Sequence, residues 1–173
     1  MSGTILNGVP AEDEAAHESY VAEKHIHVRE RWFGAMAVPA GGHCAEQGMD
    51  PFVITSGADT WGAAVQMFDI NDTPSIPGYK FYDFRKIFIV GVSKTATYRV
   101  RFLYGNTTDA DALAALQYSD FVYRADGTVS DRKPIEVSMP RIPVGTKLWG
   151  MAWCDGETAA TFSFMIGGHL YLK

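Results

Sequence analysis

Cysteine is scarce in this chain, and no cysteine spacing typical of a metal or redox site occurs. Cys44 and Cys154 are the two cysteines among 173 residues, and no CxxC pair is present. Disulfide frameworks and cysteine zinc sites both need more closely patterned cysteines. Two reduced thiols are therefore predicted, and a single disulfide between them is the alternative.

The chain also lacks an excess of positive charge and a long apolar run. Its 15 basic and 20 acidic residues give a net charge of −5, so no global field draws the protein to nucleic acid or to an anionic membrane. No window is long and apolar enough for a membrane helix, and residues 1–8 carry no basic and hydrophobic signal region. We expect a soluble chain outside the common secretory route, with neither nucleic acid nor membrane as a partner.

Helical apolar periodicity is rare too, whereas aromatic residues reach 13% and glycines number 17. Aromatic and β-branched residues between glycines favour strands. The clearest alternation of apolar and charged side chains runs over residues 97–104. Counting such segments gives about eight or nine strands, at the spacing of sandwiches and barrels. The predicted fold is all-β, an antiparallel β-sandwich of jelly-roll type.

One short helix and one arm complete the predicted architecture. Residues 110–117 favour a helix of about two turns, with Thr108 or Asp109 as its N-cap. Residues 1–22 are acidic and small, which predicts an N-terminal arm that becomes ordered against a neighbouring subunit. Residues 23–173 then form a single jelly-roll domain.

The first predicted strand, residues 24–37, raises a pairing problem at Glu30. Strand parity places this carboxylate on a face with apolar neighbours, and an ionised carboxylate there needs a cation. Arg85 or Arg101 from a neighbouring strand is the predicted partner.

Two further segments carry predictions about which side chains share a face. In residues 60–68 alternation groups four side chains: Trp61, Ala63, Val65 and Met67. In residues 79–92 it groups four apolar side chains on one face and a charged pair on the other: Tyr82, Phe84, Phe88 and Val90, against Asp83 and Arg85.

The sharpest candidate for a metal site is His25 and His27 with Glu30. Two histidines at i and i+2 on a strand project from one face and can bind a transition metal, and cupin metalloenzymes use such a set on a jelly roll. Here only Val28 and Arg29 separate His27 from Glu30, and parity turns Glu30 away from the histidines. Surface or interface histidines are the favoured interpretation, so no metal or cofactor is predicted.

No catalytic constellation is predicted elsewhere. His43 and His169 are interpreted as packed or hydrogen-bonded histidines, and a pairing of Cys44 with His169 is discounted. A G-x-S-x-G nucleophile elbow is missing. Asp69 and Asp72 lack the glycine and the terminal glutamate of a calcium loop. The chain is therefore not expected to be an enzyme.

Trp149 and Trp153 share one side of a predicted strand, with Met151 between them. Exposed aromatic rings on a sandwich can stack against sugar rings, which is one reading of this stripe. Packing in the core or at a subunit interface explains this stripe without a ligand and is the favoured interpretation.

Three stretches together carry a family resemblance: residues 23–34 (EKHIHVRERWFG), 142–149 (IPVGTKLW) and 162–171 (FSFMIGGHLY). They resemble a group of small uncharacterised proteins of tailed bacteriophages. The similarity covers nearly everything after the arm.

The resemblance implies a virion accessory protein, a capsid decoration or cement protein with a jelly-roll body and no catalytic residues to transfer. It further implies a trimer that contacts the major capsid protein and is assembled into the virion in the host cytoplasm. A carbohydrate-binding or receptor-binding module of the phage tail is the alternative, and a cupin-like metalloenzyme is the third reading.

Overall fold

The structure is a computed structural model, and it describes residues 31–35, 45–46, 50–68, 80–126, 133–143 and 145–171. These ranges contain eleven strands and one short helix, α1 (Asp109–Ala114). The strands are β1 (Arg31–Gly34), β2 (Ala45–Glu46), β3 (Phe52–Ala58), β4 (Val65–Phe68), β5 (Phe81–Val92), β6 (Thr97–Gly105), β7 (Tyr118–Arg124), β8 (Ile135–Glu136), β9 (Ile142–Pro143), β10 (Lys147–Cys154) and β11 (Thr161–Tyr171).

All eleven strands belong to one mixed sheet that curls into a half-barrel. The main path runs β2-β1-β11-β3-β10-β6-β7. On the other edge of β11 lies β5, which also pairs with β8 and β9, while β4 pairs with β10. The pairings are antiparallel except for β3 with β10, which are parallel where Ser56 lies opposite Ala152.

Strands β10 and β6 lie side by side near the β7 end of this sheet, and both alternate buried and outward positions. Successive residues of a strand point to opposite faces of the sheet. The side chains on the inner face are almost completely buried. On β6 and β10 these inner residues are Tyr98, Val100, Phe102, Leu148, Gly150, Ala152 and Cys154.

The curl brings the inner face of β11 against β6 and β7, and the main core lies between them. Phe162 of β11 is fully buried, and its ring centroid lies 5.6 Å from that of Tyr98 on β6. The same ring packs edge-on against Phe121 and Tyr123 of β7, at 6.1 and 5.7 Å. Phe162 therefore links β11 to β6 and β7 across the core.

A second group of aromatic rings fills the part of the core that is lined by β1, β4 and β5. Phe68 of β4 lies 5.4 Å from Phe33 of β1 and 5.2 Å from Phe84 of β5, and Tyr82 stacks on Phe84 at 5.4 Å. Each such pair is worth about 0.5–1.5 kcal/mol beyond its buried area. The abundance of aromatic residues thus serves the core first.

The predicted faces of residues 79–92 are half wrong, because β5 contains two bulges. Against β11, one extra residue is inserted at Arg85 and a second at Val90. Each insertion reverses the side-chain parity of the later residues in the strand. Tyr82 and Phe84 point inward as predicted, but Phe88 lies on the outer face against Trp32 of β1, at 6.3 Å, and Val90 is 48% exposed.

The all-β prediction is confirmed, whereas a jelly-roll sandwich of two sheets is not confirmed. The described strands form one curled sheet instead of two facing layers. The described residues alone form eleven strands where eight or nine were predicted, partly because β2, β8 and β9 have two residues each.

The helix predicted over residues 110–117 is present, but it ends three residues earlier than predicted. Thr108 is the N-cap, with its hydroxyl accepting from the Asp111 N–H at 3.1 Å. Helix α1 stops at Ala114, since Leu116 takes a positive φ of 55° and the chain turns into β7. The strand predicted over residues 60–68 is confirmed only for β4.

Several predictions fall outside the described residues. These include the arm (residues 1–22) and residues 24–30 of the first strand, of which β1 is the described part. In the described ranges, no helix combines the length and apolar character needed to cross a membrane.

Candidate binding surface

The outward side chains of β10, β6 and β7 form a surface rich in tryptophan and arginine. The antiparallel register places Trp153 opposite Arg99 and Met151 opposite Arg101. On the next strand Asp120 lies opposite Arg101. We name this surface the aromatic–arginine face, and its members are Trp61, Arg99, Arg101, Tyr118, Asp120, Met151 and Trp153.

Arg101 is the centre of this face. Its guanidinium carbon lies 3.9 Å from the ring centroid of Tyr118 and 4.3 Å from that of Trp61. Its Nε donates to Oδ1 of Asp120 at 2.7 Å and its Nη2 to Oδ2 at 2.6 Å. A planar guanidinium can stack on rings and form such a bidentate pair at the same time, which lysine cannot do.

These contacts hold Arg101 in one orientation. Its side chain is 14% exposed and that of Asp120 39% exposed, so the pair is partly shielded from water. The pKa of Arg101 is raised above its ordinary value, mainly by the hydrogen bond to Asp120. Each cation–π contact is worth about 0.5–2 kcal/mol. The result is a charged group whose position is set before any partner arrives.

The open end of the face carries a second stacked arginine. The Arg99 guanidinium lies 4.6 Å from the centroid of the Trp153 ring. Arg99 is exposed and Trp153 half-buried. Val122 of β7 lies opposite Arg99 and is 66% exposed. This end therefore combines a cation, a partly exposed indole and an apolar side chain on adjacent strands.

Helix α1 closes the other end of the same surface. Ala112 from the helix packs with Leu103 and Trp149 in a small separate core, and Trp149 is 5% exposed. The sequence predicted that Trp149, Met151 and Trp153 share a side, which is confirmed. For Trp149 the structure supports the core interpretation.

Sequence reasoning missed three members of the face: Trp61, Tyr118 and Asp120. Residues 118–120 were not assigned to a strand, although Tyr118 and Asp120 have the i, i+2 spacing that would place them on one side of β7. Trp61 comes from the irregular segment 59–64. Nothing in the local sequence indicates that this segment lies over Arg101.

A second polar cluster lies at the Arg85 bulge. Asp83 is 4% exposed, and its Oδ2 accepts from Nε of Arg85 at 2.9 Å and from the Tyr171 hydroxyl at 3.0 Å. The Asp83 hydrogen bond is the main cause that raises the pKa of Arg85, while burial is the main cause that raises the pKa of Tyr171. The sequence predicted that Asp83 and Arg85 share a face, but it did not predict the ion pair between them.

This cluster borders a cleft of about 570 Å³, whose lining includes Lys86, Glu136 and His169. Cross-strand pairing places Lys86 opposite Glu136 and His169 opposite Asp83. Lys86 and Glu136 therefore bring opposite charges together beside the cleft. We assign these pairs a structural role, because they join the bulged part of β5 to β8 and β11.

The two arginines predicted to neutralise Glu30 have other carboxylate partners. Arg85 pairs with Asp83 and Arg101 with Asp120. Glu30 itself lies outside the described residues.

The remaining candidate residues divide between the described and undescribed parts of the chain. Outside the described ranges lie His25, His27, His43, Cys44, Asp69 and Asp72. Among the residues that are described, no three His, Cys, Asp or Glu side chains are grouped to hold a metal ion. Cys154 is a buried free thiol, and burial raises its pKa, which disfavours the reactive thiolate. In comparisons with known proteins, no family model and no curated protein sequence matches this chain.

Proposed function

We propose that the protein is a structural binding protein that decorates or cements a bacteriophage capsid, and that the aromatic–arginine face is its contact surface. The observation that carries the proposal is the fixed guanidinium of Arg101 between Trp61 and Tyr118, continued by Arg99 on Trp153. The partner is the major capsid protein, and the place is the virion, assembled in the host cytoplasm.

The composition of the face supports a protein partner. Tryptophan, tyrosine, methionine and arginine are enriched in protein–protein interfaces, and Trp, Tyr and Arg dominate their binding hot spots. Rigid aromatic and stacked arginine side chains also lose little conformational entropy on binding. A surface prepared in this way converts more of its contact energy into affinity.

The charge of the face indicates what the partner surface offers. Arg101 already shares its charge with Asp120, whereas the exposed Arg99 stacks on a ring. A carboxylate or main-chain carbonyl on the capsid protein would accept hydrogen bonds from the guanidinium of Arg99. Many identical sites on a capsid then make attachment tight even when each contact is weak.

The jelly-roll topology, the trimer and the docking arm stay predictions within this proposal. Their basis is the resemblance of residues 23–34, 142–149 and 162–171 to phage virion proteins. The described half-barrel supplies a β body with one developed outer surface, which a decorating protein needs.

A tail-associated carbohydrate-binding or receptor-binding module is the second candidate, because the partly exposed ring of Trp153 could stack on a sugar. One face of that ring is already covered by Arg99, and rings that stack on sugars need an open face. The isolated full chain on a glycan array separates the two functions. Selective sugar binding that Trp153→Ala abolishes would favour the tail module.

The capsid proposal is tested on particles assembled with the wild-type chain, with Arg99→Glu, or without the protein. Wild-type particles should resist heat and low salt better than particles without it. Arg99→Glu should lower binding to the particles by about tenfold, because it reverses the charge at a hot-spot position.

Lys133→Glu is the matched control, since it makes the same charge change at an exposed residue before β8. It should bind within about twofold of the wild type, as surface substitutions away from an interface do. Absence of the protein from purified virions, together with equal resistance of all particles, would refute the proposal.

A further inference from the structure

Strand β7 ends the main path of the sheet and has β6 as its sole described neighbour. Its seven residues pair with β6 in a continuous register without a bulge. Monomeric proteins usually protect such an edge with a proline, a bulge, a very short strand or charged side chains. The segment YSDFVYR has no proline and no bulge, and its two exposed charged residues, Asp120 and Arg124, have opposite signs.

The hydrogen-bond pattern shows which main-chain groups point away from β6. The N–H of Tyr104 donates to Gln117 and the N–H of Ala125 donates to Ala96, both at 3.0 Å. In an antiparallel pair these groups alternate from residue to residue, so odd-numbered residues of β7 face β6. The N–H and C=O groups of Asp120, Val122 and Arg124 consequently face the outer edge.

The side chains of these three residues are exposed on the outer face, with Val122 at 66%. Phe121 and Tyr123 point inward and contact Phe162. A partner strand must therefore match an acid, an apolar residue and a base in this order. A second copy of β7, running antiparallel, offers the same residues in reverse.

We propose that the outer edge of β7, which no other described strand pairs with, pairs with the same edge of a second copy, antiparallel and centred on Val122. Val122 then lies opposite Val122 of the partner, and each Asp120 lies opposite an Arg124. Each Asp120 is already held by Arg101 and gains a second cation. The outward groups of the three residues in both copies form about six main-chain hydrogen bonds.

This contact is isologous, so it closes at two copies and differs from the trimer that the resemblance implied. It also places two aromatic–arginine faces side by side on one continuous sheet. Dimerisation is independent of what those faces bind, so its test needs no capsid.

The experiment is sedimentation of the full chain over a concentration series, with the wild type, Arg124→Glu, Val122→Pro and Val122→Thr. The wild type and Val122→Thr should be dimers. Arg124→Glu places a second acid opposite Asp120 twice per dimer, so its Kd should rise by about tenfold. Val122→Pro removes one outward N–H while sparing the ladder with β6, and should be monomeric.

Hydrogen exchange supplies a readout that folding defects do not imitate. On dilution of the wild type, the amides of Asp120, Val122 and Arg124 should lose protection, whereas those of Phe121 and Tyr123 should keep it. If Val122→Pro fails to fold, Arg124→Glu decides. A wild-type monomer at all concentrations, or a dimer that Arg124→Glu leaves unchanged, would overturn the proposal.

Discussion

Tyr98 shows how one hydroxyl can join the core to a turn. The residue is fully buried on β6. Its hydroxyl accepts from the Lys94 N–H and donates to the Lys94 C=O, both at 3.1 Å. Lys94 lies in the turn between β5 and β6, so the ring anchors that turn from inside. Burial is the main cause that raises the pKa of Tyr98 above its ordinary value of 10.0.

Tyr98→Phe should lower the free energy of unfolding by about 1 kcal/mol at pH 7, the usual net value of a lost hydrogen bond. Above pH 10 the cost should shrink. A raised pKa means that the stabilisation by protonated Tyr98 is complete below the unfolded pKa and is lost as pH rises through the folded pKa. The phenylalanine variant has no such loss at this position.

Urea unfolding of both proteins at pH 7 and at about pH 10.5 measures this difference. Tyr123 and Tyr171, whose pKa values burial also raises, are present in both proteins, so their effects cancel in the comparison. The same stability difference at the two pH values would show that the Tyr98 hydroxyl does not titrate differently in the folded chain.

Among the elements, segment 59–64 matters more than its irregular backbone suggests. The Gly62 N–H donates to the Ala152 carbonyl at 2.8 Å, and the Asp59 carboxylate accepts from the Gly156 N–H at 2.7 Å. These bonds hold the segment against β10 and the turn after it. Trp61 is thereby placed over Arg101.

Gly62→Ala should destabilise the protein strongly, by about 3 kcal/mol. A Cβ at this position would lie 1.7 Å from the Thr55 carbonyl oxygen, which belongs to the backbone of β3. Since β3 cannot move without disturbing the sheet, the segment has to shift and the Trp61 contact is lost. Thermal and urea unfolding measure the loss.

Gly91→Ala is the matched control for this substitution. A Cβ at Gly91 meets no atom within 4 Å, and alanine reduces the entropy of the unfolded chain. This variant should be as stable as the wild type or slightly more stable. Equal effects of the two substitutions would mean that segment 59–64 does not lie close to β3 in solution.

Strand β5 marks the limit of what alternation in a sequence can predict. The strand itself and the closeness of Asp83 to Arg85 were predictable, because they depend on local spacing, whereas their ion pair was not predicted. The extra residues at Arg85 and Val90 arise only where β5 meets β11, so a parity count that ignores the partner strand misplaces Phe88. Trp61 over Arg101 was unpredictable for the same reason.

For the whole molecule, local pattern was sufficient to predict an all-β chain with a short helix, but not the closure of the sheet. The alternation in β6 and β10 is strong enough to assign strands. The half-barrel depends on β3, which pairs antiparallel with β11 at Phe52 and parallel with β10 at Ser56. Such a switch of partners joins distant segments and leaves no mark on the spacing of residues.

Phe162 is the residue whose loss should reveal whether this curled sheet unfolds as one unit. Its ring contacts β6 and β7 across the core, so Phe162→Ala should cost about 3–5 kcal/mol. The milder Phe162→Leu keeps the test usable if the alanine variant does not fold. Val90→Ala, at a residue 48% exposed on β5, should cost less than about 0.5 kcal/mol.

Urea unfolding of the Phe162 variants, followed by far-UV and near-UV circular dichroism, measures both stability and cooperativity. We expect the two signals to change together at a lower urea concentration, because β11 and the pair of β6 and β7 share one core across the half-barrel. If the two signals separated, β6 and β7 would unfold apart from β11. The rings around Phe162 would then fill two independent cores, and the curl would not be the feature that stabilises the fold.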